Sequence, residues 1–198
     1  MTAPLPQLDF DAAAHRYYLG GAPVVNVTRI LEGAGLINYS FLGERREVYL
    51  ARGRAVHDAT ACDDEGRLAE DAVPLSIRGY VESWRRFKCH YRFVPTLIEH
   101  RIFNPHYGYA GTLDRTGYVR DGSEWILDLK SGVAPDAVCT QLAAYAACLP
   151  HPRARRRRCV ELHEDGSYRV IPFETGDYVR DFRRFVMALE LFRTGSNQ

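Results

Sequence analysis

The stretch from Tyr109 to Leu129 constrains this chain most, because strand-like runs over 109–119 and 124–129 flank the turn signal Arg120-Asp121-Gly122. Asp and Gly there supply the side-chain hydrogen bonding and backbone freedom of a tight reversal, so the two runs predict a β-hairpin. A further run over 96–103 precedes them. Two more follow, over 158–163 and 168–173, joined by Glu164-Asp165-Gly166.

Helical spacing surrounds these runs. Apolar residues three and four apart predict helices over 44–62 and 76–93, the second with a core-facing aromatic stripe through Tyr80, Trp84, Phe87 and Tyr91. Another is predicted over 133–149, where Gly132 and Pro135 mark its start, and a last one over 175–192 with Tyr178, Phe185, Leu189 and Leu191 among its apolar positions. Near the N-terminus, Gly20-Gly21 between HRYYL and Pro23-Val24-Val25 reads as a hairpin turn, and Asn26 or Thr28 caps a short helix stopping near Gly35. The economical assembly is α/β: a mixed central sheet flanked by helices, preceded by an N-terminal hairpin and helices. At 198 residues the chain suits one domain, with a hairpin and helical part over 1–94 and the main α/β core over 95–198.

Charge and cysteine content narrow the function classes. Lys and Arg number 26 against 25 Asp and Glu, so a polyanion would have to meet a local patch rather than a global field. The five cysteines are odd in number, widely spaced and free of CxxC, which argues against a disulfide framework or an iron-sulfur cluster. The chain lacks an apolar run long enough to span a membrane and a basic, apolar secretory leader, so a cytoplasmic protein is expected.

The chemistry concentrates in GTLDRTGYVRDGSEWILDLKSG. The predicted hairpin brings Asp114 towards Asp128. Strand alternation sets Asp128 and Lys130 on one face, with Leu127 and Leu129 on the other. Clustered carboxylates repel unless a cation relieves them, and oxygen ligands suit Mg²⁺ or Mn²⁺. Such an ion can activate water and neutralise charge at phosphorus while Lys130 orients the water or stabilises the developing charge, which is the outline of phosphodiester hydrolysis. Glu99 is a third acidic candidate. His57, in RGRAVH, is either a direct ligand or a group supporting one. Gln141 and Tyr145, four residues apart, share a helix face and can reach the site or a DNA backbone. Two arginine groups suit phosphates: Arg153, Arg155, Arg156, Arg157 and Arg158 downstream, and Arg45, Arg46, Arg52 and Arg54 around His57. Cys148, His151, Cys159 and His163 could supply four zinc ligands, in a spacing unlike the familiar fingers.

Taken in order, RGRAVH, Glu99, GTLD, ILDLKSG and QLAAY make the sequence resemble the PD-(D/E)XK nuclease superfamily, in its RecB-like branch of phage and mitochondrial exonucleases. The resemblance covers roughly residues 50–149, and YYLGGAPVVNVTRIL upstream is similar to phage-type members. It implies a restriction-endonuclease-like core and Mg²⁺- or Mn²⁺-dependent hydrolysis of DNA from its ends. It also implies that Asp114 and Asp128 bind the cations with His57 and Glu99, that Lys130 assists the water or transition state, and that Gln141 and Tyr145 support the site and substrate. Leu113 stands where the superfamily name has proline. DNA is the implied partner, with recombination or replication proteins and further copies of the chain beside it, in a bacterial or phage-infected cell. A structure-selective endonuclease and an inactive DNA-binding module on the same fold are the alternatives.

Overall fold

The computed structural model of the chain describes residues 8–12, 14–38 and 40–195, and the side chains of all of these except 40–42. It opens with β1 (Leu8–Asp11), β2 (Arg16–Leu19) and β3 (Ala22–Asn26), an antiparallel meander. Gly20 and Gly21, at φ 57° and 82°, make the two-residue turn between β2 and β3, a conformation that only glycine adopts readily at both positions. Strand β1 is an addition to the expected hairpin; four residues are too few to show a period. Helix α1 (Val27–Gly33) follows, capped by Asn26, whose Oδ1 accepts the Arg29 N–H at 2.8 Å.

Then come α2 (Arg46–Asp64), α3 (Leu75–Tyr91), β4 (Val94–Asn104), β5 (Tyr109–Tyr118), β6 (Glu124–Lys130), α4 (Val138–Ala146), β7 (Arg156–Leu162), β8 (Tyr168–Phe173) and α5 (Tyr178–Gly195). The helix expected over 133–149 is thus only nine residues long. Pro135 holds the preceding segment outside it, its carbonyl accepting the Val138 N–H at 3.0 Å. On α5, Leu191 is 62% exposed rather than buried, because it falls off the stripe of Tyr178, Phe185 and Leu189, and Phe192 packs on the core instead.

The mixed sheet has helices on both faces. Ile126, Leu113 and Tyr109 pack with α1, α4 and α5, while Trp125, Leu127 and Leu129 pack with α2 and α3. Alternation along β6 therefore serves two cores at once. The aromatic stripe of α3 lies in the second core, with Trp84 and Phe87 fully buried and stacked at 5.2 Å. Helix α3 comes so close to the β7–β8 turn that a Cβ added at Gly79 would lie 1.6 Å from the Glu164 carbonyl oxygen.

The feature that positions the site is a fork. Strand β4 pairs antiparallel with β5 along its whole length. On the other edge of β5, β3 runs parallel to Tyr109 and Ala110, and β6 runs antiparallel to residues 115–118. Residues 111–114 lie between these two partners and pair with neither.

Candidate metal centre

Asp114 occupies the crotch of the fork. The β5–β6 ladder closes at Arg115 and Leu127, and beyond that pair the Asp114 carboxylate replaces a backbone acceptor, its Oδ2 taking the Leu129 N–H at 2.6 Å. From α2, His57 reaches the same place: Nε2 lies 3.1 Å from the Leu129 carbonyl, and Nδ1 lies 3.1 Å from Glu99 Oε1 and 3.8 Å from Asp114 Oδ1. Glu99 sits where β4 steps from Ile98 opposite Arg115 to His100 opposite Leu113. Its φ of 43° is left-handed, a conformation that costs a residue other than glycine about 1–3 kcal/mol and persists only where its surroundings impose it. One atom each from His57, Glu99 and Asp114 lies within 4.8 Å of the others, and the three can hold a metal ion.

Asp128 and Lys130 stand beside this set. Asp128, 1% exposed, places Oδ2 2.7 Å from Lys130 Nζ, while its Oδ1 is buried with no hydrogen-bond partner among the described residues. Across from them, Gln141 Nε2 donates to the Tyr145 hydroxyl at 3.0 Å, and the Tyr145 ring lies against Gly111, where a Cβ would come within 2.7 Å of it. The glycine is what lets the ring into the gap of the fork.

The protonation states describe a site short of positive charge. Burial raises Asp114, the His57 imidazole lowers it, and Asp128 and Glu99 raise it further, leaving it pushed up to about 7. Burial opposes a charged His57, but Asp114 and Glu99 outweigh it and lift the imidazole to about 9. Burial also works against ionised Glu99, which His57 and Arg115 hold below the ordinary range. Lys130 resists burial through Asp128 and Asp114, which push it above its usual value and keep it charged. Tyr145 is raised by burial and by Asp114 nearby, so it remains a neutral phenol. Two carboxylates with an imidazole, beside a third buried carboxylate with an unpartnered oxygen, fit a divalent cation with oxygen and nitrogen affinity. The raised His57 and Asp114 values let protons offset part of that negative charge. The Leu129 carbonyl at Nε2 suits the ring for metal binding, since it holds the N–H on that nitrogen and turns Nδ1 towards the carboxylates.

The arginines divide. Arg45, Arg46 and Arg54 are exposed on or beside α2, and Arg54 and Arg46 lie on the His57 side of the helix at spacings of three and eleven. Arg52, half-buried over the Tyr49 ring at 4.5 Å, donates from Nη2 to the Ser131 carbonyl at 2.9 Å, next to Lys130. The downstream group is not a single solvated patch. Arg157 is 1% exposed, 2.8 Å from Asp181 Oδ2 and donating to the Cys139 carbonyl, which corrects its expected place on DNA: the strand begins at Arg156, so alternation turns the next residue inward. Arg155 pairs with Glu124 at 2.9 Å, and Arg158 donates to backbone carbonyls with its guanidinium over Trp125. Arg153 and Arg156 are exposed, the latter 3.2 Å from Asp121. Arg156 lies opposite Trp125, three residues before Asp128 and hence about 10 Å along the strand from it, at the far end of the sheet.

The expected zinc set does not gather. Cys159 faces Asp128 with Sγ 3.9 Å from Oδ2, Cys148 donates to the Ala144 carbonyl, and His57, Glu99 and Asp114 form the only such ligand cluster among the described residues. Sequence reasoning missed Arg115, Thr60 and Asp64, whose side chains lie buried behind the ligands. A signal existed: in HDATACDD, Thr60 and Asp64 follow His57 by three and seven residues, on one helix face. Compared with protein-family models and with curated proteins, the chain matches none. No helix among the described residues is long and apolar enough to cross a membrane.

Proposed function

We propose that this chain is a metal-dependent deoxyribonuclease of the PD-(D/E)XK type that removes nucleotides from DNA ends. The observation that carries the reading is the forked sheet, which gathers His57, Glu99 and Asp114 around one point with the Asp128–Lys130 pair beside it. Residues 1–94 and 95–198 act in it as one domain, since β3 supplies one prong of the fork.

Glu99, Asp114 and neutral His57 would hold Mg²⁺ or Mn²⁺, with the unpartnered oxygen of Asp128 as a further donor. Bound there, such an ion would supply an activated water and neutralise charge on the phosphate. Lys130 stays protonated, so it stabilises charge developing on the phosphoryl oxygens rather than accepting a proton, and Asp128 fixes its ammonium. Tyr145, held by Gln141 in the gap, offers a neutral hydroxyl on the side facing Asp114. Arg46, Arg52 and Arg54 line the approach along α2 and would meet the backbone without reading bases.

End-labelled linear DNA, single-stranded and duplex, is compared with covalently closed circles in Mg²⁺ or Mn²⁺. The expected result is loss of linear DNA with intact circles, abolished by chelation and by Asp114→Asn or Lys130→Ala. Nicked circles would reassign the chain to endonucleases; cleavage indifferent to chelation would overturn the metal-dependent reading.

A further inference from the structure

We propose that Arg115 is the positioning residue of the metal centre, one buried guanidinium that fixes the three ligand-bearing elements relative to one another. This rests on the metal-centre part of the functional reading and not on the choice of DNA as substrate. Arg115 follows Asp114 in the chain and is fully buried. Its Nη1 donates to Glu99 Oε1 at 2.9 Å and to the Asp114 carbonyl at 2.6 Å, tying β4 to β5. Its Nε donates to Asp64 Oδ2 at 2.7 Å and its Nη2 to Thr60 Oγ1 at 3.2 Å, both on α2. The Thr60 hydroxyl in turn donates to the His57 carbonyl at 3.0 Å. Every ligand of the cluster is therefore one or two hydrogen bonds from the same planar group.

The anchor is itself held. The buried Asp64 side chain takes Trp84 Nε1 at 2.9 Å and Lys88 Nζ at 2.7 Å on Oδ1, leaving Oδ2 for Arg115. Only a fork of donors in fixed geometry can serve Asp64, Glu99 and Thr60 together; a lysine keeps the charge but presents its donors from a single nitrogen. The guanidinium also binds the Glu99 oxygen that faces His57, which orients the carboxylate in its left-handed backbone setting.

The test measures Mn²⁺ binding by electron paramagnetic resonance in folded wild-type protein, Arg115→Lys and Thr60→Val, with thermal unfolding alongside. Arg115→Lys should bind Mn²⁺ about 10- to 100-fold more weakly, the usual effect of losing a group that orients a ligand. Thr60→Val should weaken it about 2- to 10-fold, the worth of one hydrogen bond. Any cleavage activity lost in these variants should return at high Mn²⁺. Leu189→Ala, in the opposite core, should lower Tm and leave Mn²⁺ affinity unchanged. Folded Arg115→Lys with wild-type Mn²⁺ affinity would overturn the proposal; if that variant does not fold, wild-type affinity in Thr60→Val overturns it. Wild-type protein that takes up no Mn²⁺ removes the centre and Arg115's role in it, whereas Mn²⁺ binding without DNA cleavage counts only against the nuclease reading.

Discussion

A divalent cation could enter the cluster only by displacing the protons that its ligands hold. His57 holds its proton up to about 9 and Asp114 up to about 7, while Glu99 is held ionised by His57 and Arg115. The protons belong to the cluster as a coupled unit, so the measured steps are macroscopic. Below pH 7 two must leave, and the apparent dissociation constant should fall by up to about 100-fold per pH unit; between pH 7 and 9 one must leave, and the slope drops to about tenfold. Each factor of ten is about 1.4 kcal/mol. Going from pH 6 to pH 8 should therefore tighten binding by nearly three decades, or about 4 kcal/mol. Calorimetry in two buffers of different ionisation enthalpy reads both the affinity and the protons released, expected to approach two at pH 6 and one at pH 8. A change of less than tenfold across that interval, as carboxylates titrating near pH 4 would give, refutes the protonated cluster.

In the metal-free protein the raised Asp114 value acts against folding: the folded chain keeps a proton that the unfolded one releases near 3.8, so stability falls as pH rises from about 4 through 7 and stays lower above. At about 1.4 kcal/mol per unit the ceiling is near 4 kcal/mol, and Asp114→Asn should stabilise metal-free protein at pH 8 by at least about 1 kcal/mol in denaturant melts; destabilisation would count against the buried charge. The raised His57 value contributes stability that is full below 6.5 and lost as pH rises through about 9, so His57→Gln should be most destabilising below pH 6.5, and a penalty that grows towards pH 9 would contradict the assignment. Arg157→Met takes the buried partner from Asp181 Oδ2 and leaves the carboxylate only the exposed Arg180 on Oδ1, so it should cost about 2–3 kcal/mol, or roughly 4–12 °C in Tm, while Arg153→Gln stays within about 0.5 kcal/mol; equal melting points would show that Arg157 is not structural. Gly79→Ala gains about 1 kcal/mol of helix propensity but meets the Glu164 carbonyl, so it should destabilise by about 1–3 kcal/mol net, and a higher Tm would show that α3 has room there.

What could be read from the chain follows the reach of local pattern. Strand alternation put Asp128 and Lys130 on one face and Leu127 and Leu129 on the other, as the structure has them, and of the two capping candidates, Asn26 and Thr28, Asn26 is the one that caps the expected helix. The arginine run misled because composition outweighed strand context: in RRRRCVEL the strand of Cys159 and Val160 extends back into the arginines, and Arg157 shares the face of the buried Cys159. The left-handed backbone at Glu99 had no glycine or asparagine to mark it. The contacts of Arg115 with Thr60 and Asp64 span more than fifty residues, and no periodicity carries information over that distance.

The open edge at residues 111–114 makes Asp114 a structural clasp as well as a charge. Its oxygen completes the hydrogen bonding of β6 where the neighbouring backbone has turned away. Truncation to alanine would thus unfasten two strand ends and alter the spacing of every group mounted on them, whereas asparagine leaves an acceptor in place. Loss of activity in an alanine variant would mix architecture with chemistry; only the amide isostere separates them.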